Sequence, residues 1–272
     1  MNIGIMQGRL SPRYLGRYQA HPLGYWQAEF HIAKTLGFSA IEWIIDFNDI
    51  DLNPMMSAAG IDDILAQVTQ TGVSVQSICA DFLMEAPLHS LHQTQSEESL
   101  AHLFPLAKKV GVTDIIIPCV DQSRLNSEAD HTQLCQSLEK LLPLAEQNGI
   151  VLNLETDLAP APFLRLVQSL AHSAIAINYD TGNSASLGFD PKEELATYGD
   201  KISIIHIKDR VLGGGSVPLG TGSTNFVPIL EFIKTKKQSH IITMQAARET
   251  EFVDDLVGVS AQKRRLDTWI QR

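Results

Sequence analysis

Apolar positions along this chain alternate between two rhythms. Short runs rich in β-branched residues recur at Ile3–Gln7, Ala40–Ile45, Ser74–Cys79, Asp114–Cys119, Val151–Glu155, Ala174–Asp180, Ile202–Ile207 and Ile241–Gln245. They read as strands. Between and after them come longer stretches with the period of a helix: Tyr25–Leu36, Ile61–Gln70, Leu100–Val110, His131–Gln147, Ala161–Ala171, Glu193–Tyr198, Val227–Lys234 and Val253–Ile270. Several stop at a glycine, as in Leu36–Gly37–Phe38, Thr71–Gly72–Val73, Val110–Gly111–Val112 and Asn148–Gly149–Ile150. A helix that ends in a left-handed residue places glycine there.

Strand parity sharpens the fold. In the sixth run Ala176, Asn178 and Asp180 are small or polar, while Ile175, Ile177 and Tyr179 are large. The second run splits similarly, Ala40, Glu42 and Ile44 against Ile41, Trp43 and Ile45. A strand with one face inside a closed barrel and the other beneath helices shows this split. A sheet buried on both faces would leave mid-strand polar residues without a place. Eight strand–helix units in 272 residues therefore point to an α/β protein, a (β/α)8 TIM barrel forming one domain over residues 1–272. No linker or low-complexity segment divides the chain.

Composition narrows the function. A net charge of −10 with scattered basic residues argues against nucleic acid as a partner. The short basic cluster at Lys263, Arg264 and Arg265 reads as the solvated end of a helix. An acidic total still permits a local anion pocket. The three cysteines, Cys79, Cys119 and Cys135, lack metal-ligand spacing and read as reduced thiols in a cytoplasmic protein. The N-terminus, MNIGIMQGRLSP, lacks the features of a signal peptide. No apolar run approaches the ~18 residues of a membrane span.

In a barrel of this type the active site lies at the C-terminal ends of the strands. The fifth run ends at Glu155, the sixth at Asp180, the seventh carries His206 and the eighth ends at Gln245. Carboxylate oxygens and an imidazole on adjacent strand tops suit one divalent ion such as Mn, Mg, Co or Zn. Three such groups at matching height are hard to explain as separate structural polar residues, because unpaired buried charge is costly. Gln7 and Arg9, in MQGRLSP, share a parity that aims both at the barrel mouth. Arg9 suits a carboxylate or phosphate, or a structural ion pair. Glu42, inward on the second strand, has three roles open: holding a substrate hydroxyl, orienting His206 from behind, or pairing with Arg9. Lys208 has the parity of His206 and is a candidate electrophile or substrate anchor. Asp209 and Arg210 read as a structural pair, and Arg248 as a clamp on an anionic group. Gly213–Gly215, Gly220 and Gly222 suggest either a mobile loop or a phosphate cradle near Thr221. His31, His92, His102, His131 and His172 fall in helical or loop segments and carry no chemistry. Glu249, Glu251, Asp254 and Asp255 read as a solvated helix start.

The motifs LETD at Glu155, NYDTGN at Asp180, HIKD at His206 and PLGTGSTNF at Pro218–Phe226 resemble those of the xylose isomerase-like TIM barrels, the sugar phosphate isomerase/epimerase superfamily. The likeness runs along essentially the whole chain. It implies one divalent metal ion held by Glu155, Asp180 and His206. It also implies a small carbohydrate, free or phosphorylated, as the substrate, and proton transfer through a metal-stabilised enediolate with Glu155 as the base. Asn183 stands where some sugar epimerases of the family carry a substrate-binding His, so it is expected to contact a hydroxyl. Related barrels often form dimers or tetramers of identical chains.

One position departs from the pattern. Epimerases of the family usually carry a second Glu on the eighth strand, and this chain has Gln245. An amide oxygen can coordinate a metal but cannot carry a proton. Two-carboxylate epimerisation is thereby in question, while one-base isomerisation, dehydration and retro-aldol chemistry stay open. So does a sugar-binding barrel without catalysis. The next carboxylate, Glu249, lies a full turn of chain further out. The superfamily's DNA-repair endonucleases need many more strand-end histidines than His206 supplies.

Overall fold

A computed structural model of the protein describes residues 2–236, 240–248 and 252–271. Eight parallel strands close into a barrel: β1 (Gly4–Met6), β2 (Ala40–Ile44), β3 (Ser74–Cys79), β4 (Asp114–Cys119), β5 (Val151–Thr156), β6 (Ile175–Asp180), β7 (Ile202–Ile207) and β8 (Ile241–Met244). Strands β1 and β8 pair and seal the ring, with Gly4 opposite Thr243. Around it run helices α1 (Gln27–Leu36), α2 (Ala58–Thr71), α3 (Gln93–Val110), α4 (Glu128–Gln147), α5 (Pro160–Leu170), α6 (Thr181–Leu187), α7 (Pro191–Tyr198), α8 (Phe226–Thr235) and α9 (Phe252–Gln271). Beyond β7 the chain forms a small antiparallel ladder, Asp209–Arg210 against Ser216–Val217. Among the described residues no helix is long and apolar enough to cross a membrane.

The barrel forms for the reason the parity suggests. Met6, Ile44, Cys79, Ile116 and Ile204 pack as a small apolar cluster separate from the main core. They share the parity of the polar row that includes Glu42, Asn178, Asp180 and His206, so the two sets line the same side of their strands. The opposite parity packs under the helices. Trp43, fully buried, stacks edge-on against Trp26 with centroids 5.2 Å apart. Gly37, Gly72 and Gly111 end α1, α2 and α3 in the left-handed conformation, at φ of 77°, 75° and 95°.

Among the α-helices the addition to the expected elements is α6. Asp180 caps it, its Oδ1 accepting from the backbone N–H groups of Gly182 at 2.9 Å and Asn183 at 2.8 Å. With only seven residues the helix is too short for an apolar stripe to reveal it. Its cap fixes Asp180 at the mouth. Helix α3 also starts earlier than its apolar pattern, at Gln93, because its first turns are polar.

Candidate metal centre and catalytic site

Glu155, Asp180 and His206 converge at the C-terminal end of the barrel. All three are buried, and each offers a ligand atom within 4.8 Å of the others. His206 presents Nδ1 to this cluster, 3.7 Å from Asp180 Oδ2 and 3.9 Å from Glu155 Oε2. Its other nitrogen, Nε2, lies 2.8 Å from Glu42 Oε1. That contact lacks hydrogen-bond angles and is best described as a charge contact. Glu42 Oε2 is held by the hydroxyl of Ser77, 2.7 Å, and more weakly by Thr243, 3.3 Å. Of the three roles open to Glu42, the structure gives it the one behind His206.

Two asparagines fix Glu155. Asn183 Nδ2 donates to its Oε1 at 2.6 Å, and Asn178 Nδ2 donates to its Oε2 at 2.7 Å. Asn178 also lies 3.2 Å from His206 Nδ1 and so links the Glu155 carboxyl to the imidazole. Its inward parity was the signal for it in the sequence. Burial, together with the Asp180 charge, raises the Glu155 carboxyl to about 7. Burial works the same way on Asp180, but Lys208 and His206 outweigh it and lower that carboxyl to about 2. For His206 burial opposes the charged form, yet the carboxylates of Glu42, Asp180 and Glu155 prevail and raise it to about 10.

The arrangement fits a cation. With its Oδ1 used in the helix cap, Asp180 keeps a buried Oδ2 that no hydrogen-bond donor reaches. Gln245, just past β8, has a buried Oε1 in the same condition. Its Nε2 points away, 2.9 Å from Met6 Sδ and 3.2 Å from Gln19 Oε1. Buried acceptors without donors are rare because each forfeits its hydration. A divalent ion held with Glu155 and His206 would satisfy the Asp180 oxygen, and the Gln245 oxygen is a further acceptor on the cavity those two residues line.

These residues open on a cavity of about 380 Å3, whose lining includes Glu155, Asn183, His206, Lys208 and Gln245 together with Met6, Arg9, Gln19, Cys79, Asp81, Asp121 and Arg210. Larger hollows of about 590 and 430 Å3 lie elsewhere, one between α4 and α5 and one beside α6 and α8. The smaller one holds the convergent polar groups. Lys208 reaches in with Nζ 3.6 Å from Asp180 Oδ2 and 3.3 Å from Asn183 Oδ1. Gly182 makes room, since a Cβ there would sit 2.7 Å from Lys208 Cγ.

Arg9 is 1% exposed and meets only neutral acceptors among the described residues. They are the Ala246 carbonyl at 3.0 Å, the Tyr18 carbonyl at 3.3 Å, Gln19 Oε1 at 3.0 Å and Met6 Sδ at 3.8 Å. Arg210 likewise donates to Asn183 Oδ1 at 2.8 Å and to the Gly214 carbonyl at 2.9 Å.

Several expectations need correction. Gln7 does not reach the cavity. Met6 and Gln7 have opposite parities, and Gln7 turns outward, where its Oε1 accepts from Ile44 N and lies against His21 Nδ1, each at 3.0 Å. Arg9 still reaches the mouth because the chain reverses at Gly8, φ 79°. Arg248 is also absent from the cavity lining. It pairs with Asp255 at 3.0 Å, both side chains 2% exposed. Asp255 is thus a buried partner rather than part of a solvated helix start; Glu249, Glu251 and the side chain of Asp254 lie outside the described residues. Lys263 is buried over Phe38 and bonded to Asp267, not solvated.

Asp209 and Arg210 do not pair with each other. The glycine-rich segment instead wraps the Asp209 carboxylate: Gly220 N and Gly222 N donate to Oδ2, each at 2.8 Å, and Thr224 N donates to Oδ1 at 3.1 Å. Of the two readings of this segment, a mobile loop or a phosphate cradle, the cradle is already filled by a carboxylate belonging to the protein. Asp209→Ala is therefore expected to loosen this segment. Amide hydrogen exchange at Gly220, Gly222 and Thr224 should rise roughly tenfold or more, with about 1–3 kcal/mol of stability lost. Unchanged exchange there would show that the three bonds do not hold the loop.

Comparison with known proteins agrees with this geometry. The sequence model of the family described as xylose isomerase-like TIM barrel matches residues 30–261, and the chain belongs to that family. A relative from Escherichia coli K12, named putative L-ribulose-5-phosphate 3-epimerase SgbU, is 25% identical over 267 residues, covering 90% of each chain. Among solved structures, a xylose isomerase domain protein from Planctomyces limnophilus superposes with a TM-score of 0.79 at 17% identity, covering 98% of this chain and 96% of that one. A xylose isomerase-like TIM barrel protein from Mycobacterium smegmatis, in complex with magnesium, gives 0.71 at 16% identity, covering 99% and 97%.

Proposed function

We propose that this chain is a divalent-metal-dependent isomerase or epimerase of a small sugar phosphate. Glu155, Asp180 and His206 would hold the ion with the Gln245 amide oxygen as a fourth donor; Mn, Mg, Co and Zn all suit the set. The observation that carries the reading is the pair of donorless buried oxygens, Asp180 Oδ2 and Gln245 Oε1, at the mouth that Glu155 and His206 share. When bound, the ion supplies Lewis-acid polarisation of a sugar carbonyl.

The protein's own groups do the rest. Glu155 takes the proton from the carbon beside the carbonyl. Its carboxylate stands at the end of β5, at the rim where Asp180 and His206 converge. Asn178 and Asn183 aim it, and Glu42 fixes the imidazole. Arg9, Lys208 and Arg210 give the cavity three cations, and the two guanidiniums meet no carboxylate partner among the described residues. Two guanidiniums without a carboxylate partner favour a phosphorylated sugar over a free one, and the likeness to a protein named as an L-ribulose-5-phosphate epimerase points the same way.

The test is proton exchange. The manganese-loaded protein, given L-ribulose 5-phosphate in deuterium oxide, should wash deuterium into the carbon beside the carbonyl, as read by NMR. Failure to bind manganese, or no exchange with any of a set of ketopentose and ketohexose phosphates, would end the reading. Arg9→Gln should lower kcat/KM for the phosphorylated sugar about 10–100-fold, the loss of one charge-assisted contact, and leave the free sugar nearly unaffected. An equal loss for both would show that Arg9 supports the loop rather than the phosphate.

A further inference from the structure

Inverting a carbon beside a carbonyl needs a proton removed from one face and another delivered to the opposite face. Gln245 cannot carry a proton, so a barrel that epimerises must find its second carrier elsewhere in the cavity. Besides Glu155, the carboxylates in the cavity lining are Asp81 and Asp121. Asp121 is exposed. Asp81 sits in the turn that follows β3, half-buried against the cavity wall.

We infer that Asp81 is the second acid–base group of the site, and that Gln19 joins it to Gln245. The assignment rests on the sugar-phosphate reading above. Gln19 Nε2 donates to Asp81 Oδ1 at 2.7 Å. Gln19 Oε1 accepts from Gln245 Nε2 at 3.2 Å and from Arg9 Nη2 at 3.0 Å. One amide thus does two things. It turns Gln245 so that its oxygen is free, and it seats a carboxyl on the cavity wall with Asp81 Oδ2 left without a hydrogen bond among the described residues. A glutamate at position 245 would set carboxylate oxygens against Gln19 Oε1. Gln245 and Asp81 are therefore a matched pair, with the titratable group moved from the end of β8 to the turn after β3.

Direction and poise agree with the assignment. Glu155 tops β5 and Asp81 follows β3, with Pro118 of β4 between them in the wall, so the two carboxyls enter the cavity from different strand ends. Burial pushes the Asp81 carboxyl up to about 7. Asp46 and Glu85 add to the rise, and Gln19 and Arg9 oppose it. Such a group holds a proton near neutrality and can also give it up.

The step balances as follows. Glu155 takes the proton from the carbon beside the carbonyl, and the C–H electron pair flows toward the carbonyl oxygen to give the enediolate. The Asp81 carboxylic acid then delivers its proton to the other face. A new C–H bond forms and the C=O bond returns. Glu155 ends protonated and Asp81 ionised, and exchange with water resets both. From the other epimer the roles reverse.

Asp81→Asn separates this assignment from a structural role. Manganese-loaded wild-type and variant proteins would be given L-ribulose 5-phosphate and L-xylulose 5-phosphate separately in deuterium oxide. The wild type should exchange deuterium into both epimers and interconvert them. The variant should lose interconversion at least 100-fold, keep exchange from the one epimer whose proton faces Glu155, and lose it from the other. Equal loss from both epimers, or interconversion within about threefold of wild type, overturns the assignment. A wild type that exchanges but does not interconvert also overturns it while leaving the isomerase reading intact. A wild type that does neither removes both.

Discussion

Replacing Glu155 by Gln is expected to lower deuterium exchange into the sugar about 10²–10⁴-fold, the usual worth of a positioned general base, while the barrel stays folded. In the proposed reaction the carboxylate accepts the proton, and the amide that replaces it has no basicity at neutral pH. The structural consequence is small because two effects oppose each other. Glu155 accepts from both Asn178 and Asn183, and a glutamine has one oxygen to offer them, so one hydrogen bond is lost. A lost bond of this kind costs about 1 kcal/mol. Against that, the wild-type carboxylate is buried beside Asp180, which is why its carboxyl is raised to about 7. Removing the charge relieves that repulsion. The melting temperature should move by a few degrees at most for a protein of this size. Exchange within tenfold of wild type, in a variant that still binds manganese, would take the proton-transfer role away from Glu155.

Much of this arrangement was legible in the sequence because it obeys short-range rules. Strand parity separated Asn178 and Asp180 from Ile177 and Tyr179, and the strand ends put Glu155, Asp180 and His206 at one rim. What escaped depends on distant partners or on a local reversal of the chain. The reversal at Gly8 sends Arg9 into the cavity and leaves Gln7 outside, which simple alternation misassigns. Asp209 fills the glycine-rich loop through bonds spanning 11 to 15 residues, and a glycine count cannot tell an internal anion from an external one. Asp255 looked like a solvated helix start because its partner, Arg248, precedes the helix by sequence and no short-range pattern shows that the two side chains meet. Gln19 and Asp81 are 62 positions apart and belong to no motif. Only the closed barrel brings the turns after β1, β3 and β8 to one place.

Asp180→Ala is expected to weaken manganese binding at least 10²-fold, more than any change behind the ligands, and to lower stability as well. The two losses have different atoms as their cause. Oδ1 caps α6 through Gly182 N and Asn183 N, and removal of such a cap costs about 0.5–2 kcal/mol. Oδ2 faces His206 Nδ1 at 3.7 Å and Lys208 Nζ at 3.6 Å, and is the oxygen left for the ion. Asp180→Asn separates them. An asparagine can keep its oxygen toward the helix N–H groups, since Asn is as good a cap as Asp. Its amide nitrogen then replaces Oδ2 and sets N–H donors against Lys208 and the imidazole. The Asn variant should therefore keep the cap but lose the charge contacts with Lys208 and His206, melting between the wild type and the Ala variant while binding manganese as poorly as the Ala variant. Calorimetric titration with manganese and thermal melts of the metal-free proteins measure the two effects separately. If Asp180→Asn binds manganese as tightly as wild type, the donorless Oδ2 is not a ligand and the metal centre must be placed elsewhere. If both variants lose stability equally, the cap rests on charge rather than on the oxygen that accepts from Gly182 and Asn183.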